Sequence, residues 1–179
     1  MKTLIALALL SSGAAFAQAQ APTVGRILDN QLRGVEAEIV PLVQAMPGEK
    51  IDFAPKTGEF KGVRTFAEQA KHVAAVLYLV AAGAKGEKPP VDTGGEAGPA
   101  SVKSKEQIVK FLQDAFAYAR GVAAGMNGEN YTDMVTSPFG QGQMAKGALM
   151  TIAVSHTFDH YGQMVVYARM NGIVPPASR

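Results

Sequence analysis

From Thr23 to Met46 apolar residues return every three or four positions, at Ile27, Leu28, Leu32, Val35, Ile39 and Leu42, and the same period governs three further stretches of the chain. That spacing gathers side chains on one face of a helix, and no alternating, period-two stretch competes with it. Four helices with one apolar stripe each can bury those stripes only against one another, so the expected class is an all-α four-helix bundle. Inside the first segment Pro41 lacks a backbone donor and crowds the preceding turn, which predicts a kink or an early end there.

The helix boundaries carry their own signals. The second segment opens at "TFAE", where Thr65 and Glu68 stand at the two ends of a capping box, and it runs to about Ala84. The third opens with the same device at "SKEQ", Ser104 and Gln107. It continues through Ile108, Phe111, Leu112, Ala115 and Ala119 to about Met126, where Asn127-Gly128 offers the left-handed conformation that ends helices. The fourth begins between Gln143 and Gly147 and reaches Met170, stopped by Asn171-Gly172 and then Pro175-Pro176.

Two connections are long. Residues 85 to 104, "KGEKPPVDTGGEAGPASVKS", exceed what a tight helix-helix turn needs. They read equally well as a crossover that lets the second and third helices run parallel and as a surface insertion without fixed structure. Residues 46 to 64 contain Ile51, Phe53 and Phe60, which imply a segment packed over one end of the bundle.

With 179 residues the chain is expected to form one domain, a bundle over residues 23–176. Ahead of it, Met1, Lys2, an apolar run through Leu10 and the small residues of "AAFAQAQA" form the pattern of a signal peptide, residues 1–19, with cleavage sites after Ala17 and Ala19 in competition. The expected location is therefore periplasmic or secreted. The apolar run is too short to span a bilayer comfortably and no Cys is present to carry a lipid, so no stable membrane anchor is expected. The net charge is +2 and the 17 Lys and Arg are dispersed, which argues against a nucleic-acid partner.

The chain has three histidines, and two of them, His156 and His160, lie in "SHTFDHYGQMVVYARMNG". Four residues on a helix place them about 40° apart on one face with a rise of about 6 Å, a spacing that lets both imidazoles converge on one ion. Gln163 falls within about 20° of His156 and Tyr167 about midway between the two histidines, a polar line flanked by apolar Ile152, Met164 and Val166. The third, His72, shares a face of the second helix with Glu68, Val76 and Leu79, a stripe that reads as core. A buried imidazole needs a partner. On the residues alone, a three-histidine site with one position open to water and a set of hydrogen-bonded core histidines weigh about equally.

"RTFAEQAKHVAAVLYL" followed by "HTFDHYGQMVVYARMNGIVPP" resembles the DinB-like superfamily, whose hallmark is one His on the second helix and an H-x3-H pair on the fourth, often extended to H-x3-H-x-G-Q. Here those positions are His72, His156, His160, Gly162 and Gln163, and "MPGEKIDFAPKTGEFKGVRTFAEQ" resembles the entry to the family's second helix. The resemblance implies an up-down-down-up bundle with the long crossover between helices 2 and 3. It also implies a divalent transition metal held by the three histidines, with zinc or nickel ahead of iron or copper, and allows a homodimer through an exposed helix face.

An ion with an open position would polarise a carbonyl or activate a water or thiol. The residues offered as partners in that chemistry are Gln163, placed to hold a water, and Glu68, a base or fourth ligand one turn before His72 whose capping box explains it as well. Asp159 is assigned to the outer ligand sphere or to solvent. Two functions follow. One is an exported metal-dependent hydrolase or transferase acting on an unknown small-molecule substrate, hydrolysis suiting an exported protein better than the low-molecular-weight thiol chemistry of some relatives. The other is a non-catalytic bundle that binds a metal or small ligand.

Overall fold

The Thr65 hydroxyl accepts the Glu68 N–H at 3.2 Å and the Glu68 carboxylate accepts the Thr65 N–H at 2.8 Å, so the second helix starts where its capping box places it. The computed structural model describes residues 21–140 and 142–179; the expected signal peptide lies outside the described residues. Four helices follow in order: α1 (Val24–Ala45), α2 (Phe66–Lys85), α3 (Lys105–Ala124) and α4 (Lys146–Met170). Ser104 and Gln107 cap α3 as expected, and Gly172, with φ of 77°, turns the chain after α4. No helix among the described residues is long and apolar enough to cross a membrane.

Named contacts fix the helix directions. Arg120, near the end of α3, donates to Asp29 at 2.8 Å and Glu36 at 3.0 Å in α1, while Lys105 at the start of α3 reaches the carbonyls of Gln44 and Met46. Thus α1 and α3 are antiparallel. Tyr78 of α2 lies against Phe111 and Tyr118, and Lys85 at the end of α2 stands over the Tyr118 ring, so α2 and α3 are parallel. Gln69 meets Gln163 and His72 meets His156 across antiparallel α2 and α4. Lys50, just past α1, donates to the carbonyl of Asn171, just past α4, which makes those two parallel. The bundle is up-down-down-up, and residues 86–104 are the crossover. Its core is the shared interior, with Leu32, Ile39, Phe66, Leu77, Leu112, Phe116, Leu149 and Met164 all fully buried.

The connection after α1 packs over an end of the bundle through Ile51, which is buried, and Phe53, edge-on to Tyr167, whereas Phe60 is exposed. The carbonyls of Phe53 and Ile51 accept the N–H groups of Phe66 and Ala67, two donors that the first turn of α2 cannot satisfy itself.

Three expectations are corrected, and of the two outcomes offered at Pro41 the early end does not occur. α1 runs through Pro41 to Ala45, its last turn held by buried Leu42, Val43 and Met46, so the lost hydrogen bond does not end it. Ile27, counted with the apolar stripe of α1, is exposed. α3 stops at Ala124 by a tightened turn, Met126 N–H to Ala123 carbonyl, and Asn127 instead organises the next turn by accepting from Glu129 and Asn130. A two-stranded antiparallel hairpin, β1 (Met134–Thr136) and β2 (Gln143–Ala145), precedes α4. Strands of three residues are too short for alternation to show in the sequence. The segment ahead of the hairpin has a further use: Ala145 brings no capping side chain to α4, and the carbonyls of Asp133 and Tyr131 accept the N–H groups of Lys146 and Gly147.

Candidate metal centre

The fold brings all three histidines together. Antiparallel packing of α2 on α4 sets His72 opposite the His156–His160 turn, with the His72 Nε2 3.0 Å and the His160 Nε2 3.1 Å from the Nε2 of His156. One ligand-capable nitrogen from each lies within 4.8 Å of the others. His72 and His160 are buried and His156 is half-buried.

Which nitrogen of each ring is free follows from its neighbours. A carbonyl only accepts, so the Nδ1 of His72, 2.6 Å from the Glu96 carbonyl oxygen, carries the proton. His160 is fixed by a longer chain. The Asp159 carboxylate only accepts, so the Gln163 amide nitrogen donates to it at 3.0 Å; the Gln163 oxygen then accepts from the Gln69 amide nitrogen at 2.9 Å. That leaves the Gln69 oxygen to accept the Nδ1–H of His160. In both rings Nε2 is left as a lone pair aimed at the same point.

Burial, more than any neighbouring charge, holds His156 and His160 down to about 4; His72 and Arg64 add to this while Asp159 opposes it. Burial lowers His72 too, against the Glu96 carbonyl hydrogen bond that raises it. The three rings are neutral at neutral pH, the state that binds a metal. No partner fixes the tautomer of His156: with its proton on Nε2 it donates to His72 or His160, and with the proton on Nδ1 its Nε2 is the third lone pair, which only a cation between the rings would satisfy. Imidazole nitrogens about 2.0–2.1 Å from a tetrahedral ion would be about 3.3 Å apart, close to the spacing here, and ligand rings characteristically donate their other N–H to a carbonyl or amide. The residues fit a divalent ion.

Around the histidines the other expected participants each have a defined place. Glu68 is exposed and its carboxylate serves the capping box, so the core stripe assigned to it belongs to Gln69 instead, which is buried. Gln163 has Gln69 and Asp159 as its partners. Asp159 is exposed yet begins the chain that orients His160. Tyr167 is buried against Phe53 and belongs to the core, while Val166 is exposed. Gln69 and the Glu96 carbonyl were missed. A glutamine inside "FAEQAKHVAAV" was the one available signal for the first; a backbone carbonyl has no residue-type signal. Beside the centre a cleft of about 820 Å³ reaches His160 and Gln163, lined also by Arg64, Glu68, Gln69 and Lys71.

A four-helix bundle with three inward histidines from two facing helices defines a class of helical proteins equipped to hold a metal ion. The chain belongs to the DinB superfamily, whose family model matches residues 31–164. Its fold is similar to that of a DinB-like protein from Bacillus subtilis, with a TM-score of 0.61 and 13% identity over 82% of this chain and 92% of that one. A DinB-like protein from Bacillus cereus is similar at the same TM-score of 0.61, with 16% identity over 86% of this chain and 96% of that one. At these identities the likeness concerns the fold. No curated protein matches the sequence.

Proposed function

We propose that the protein holds one divalent transition metal on His72, His156 and His160 and uses it, outside the cytoplasm, as a metal-dependent hydrolase or transferase of a small molecule. The observation that carries this reading is the convergence of the three Nε2 atoms, with the Nδ1 atoms of His72 and His160 committed to acceptors. When bound, such an ion supplies Lewis-acid chemistry, with zinc or nickel ahead of iron or copper as candidates. The chain's own residues do the rest. The Glu96 carbonyl and Gln69 hold two rings in the binding tautomer, and burial keeps all three unprotonated. Secretion or periplasmic location is supported by the signal-peptide pattern of residues 1–19.

A second reading, a non-catalytic metal or small-ligand binder, is favoured by one observation: the two nearby carboxylates, Glu68 and Asp159, are both engaged in structural hydrogen bonds. Metal analysis of protein purified without a His tag tests both. About one transition metal per chain is expected, and none, with no rise in melting temperature on metal addition, removes both readings. Rates on esters, amides and thiol-conjugation substrates for wild type and His156→Ala then separate enzyme from binder.

A further inference from the structure

We propose that the cleft beside the histidines takes a small carboxylate-bearing molecule, whose carboxylate is held at the mouth by Arg64 and Lys71. The proposal rests on the reading of the three histidines as the working end of that cleft, and it adds the class of ligand. Arg64, Lys71, Gln69, His160 and Gln163 line one space of about 820 Å³, enough for a small organic molecule. Neither cation has a hydrogen-bond or ion-pair partner among the described residues, although five other Lys and Arg form ion pairs: Arg33, Lys85, Lys110, Arg120 and Lys146. None of the acids near the cleft forms an ion pair with them, although Glu68 lines the same space. Glu68 accepts the Thr65 N–H, Asp159 accepts the Gln163 amide, and Glu96 touches the site through its backbone carbonyl.

Both cations are mounted on ordered backbone. Arg64 immediately precedes the capped start of α2. Lys71 is half-buried, and its stem runs beneath Gly98 of the crossover, where a Cβ would stand 2.7 Å from the Lys71 Cβ and 3.0 Å from its Cε. With φ of 83° and no side chain, Gly98 lets the crossover press onto the stem of Lys71, a residue that also lines the cleft. A guanidinium fork beside an ammonium favours a carboxylate over its neutral amide.

The test is calorimetric titration with acetate, glutarate and benzoate against acetamide, glutaramide and benzamide, on untagged protein before and after chelation. The same samples are assayed for metal. At least one carboxylate is expected to bind saturably, about tenfold or more tighter than its amide, in chelated protein as well. Arg64→Gln and Lys71→Gln should each weaken it about tenfold and Arg64→Lys less, with helicity and metal content unchanged. Equal affinity for acids and amides overturns the proposal. So does a preference that vanishes on chelation and ignores both Gln variants, because the ion alone then explains it. Charge-selective binding by protein that carries no metal as purified and takes none up when metal is added removes the metal reading and leaves this one standing; metal without charge selectivity does the reverse.

Discussion

Asp159 touches no histidine through a hydrogen bond, yet it determines which nitrogen of His160 is free. Because a carboxylate cannot donate, its demand for a proton passes through Gln163 and Gln69 to the ring. Substituting Gln69→Leu removes the acceptor for Nδ1–H, and metal affinity should fall about 10–100-fold with helicity retained, as read by competition with a chromophoric chelator. Glu68 is tested by a pair of variants. Glu68→Gln keeps a capping side chain and should melt like wild type, whereas Glu68→Ala should cost roughly 0.5–1 kcal/mol in chemical denaturation, with metal content unchanged in both. At this scale the three histidines were legible because their residue type and spacing are rare. Gln69 and Glu96 were not, since an amide in an apolar run and a loop carbonyl carry no distinctive pattern.

Among the elements, the crossover has the most consequence. Residues 85–104 read equally as crossover or as insertion without fixed structure, and the protein uses this stretch to bring a carbonyl to His72 and to cover Lys71. Gly98→Ala meets the Lys71 stem in a left-handed conformation, and should destabilise the protein by about 1–3 kcal/mol in denaturant titration and lower metal affinity by loosening the Glu96 carbonyl. The helix starts at Thr65 and Ser104 were readable because a capping box is local in sequence. The start of α4 was vague for the opposite reason: its caps are backbone carbonyls from residues 131 and 133.

For the whole molecule the burial of three imidazoles links folding to pH. The unfolded histidines titrate near 6.5, and in the folded protein His156 and His160 lie near 4 with His72 shifted the same way. The unfolded chain therefore binds more protons below pH 6.5, and stability falls as pH drops from 6.5 towards about 4. Asp29, held low chiefly by its hydrogen bond from Arg120, extends the loss below its ordinary value of 3.8. Denaturant titrations of chelated protein should show this slope, and His160→Gln should flatten it between pH 6.5 and 4.

Four helices, two of their starts and the three histidines follow from the sequence by itself, because periodicity, capping and rare residue types are written in neighbouring positions. The direction of each helix, the convergence of Nε2 atoms from α2 and α4, and the tautomers that aim them depend on residues up to about a hundred positions apart. Only packing brings those together. The crossover shows the reason most plainly: its composition left it undecided, and contacts with His72 and Lys71, distant in the chain, made it part of the site.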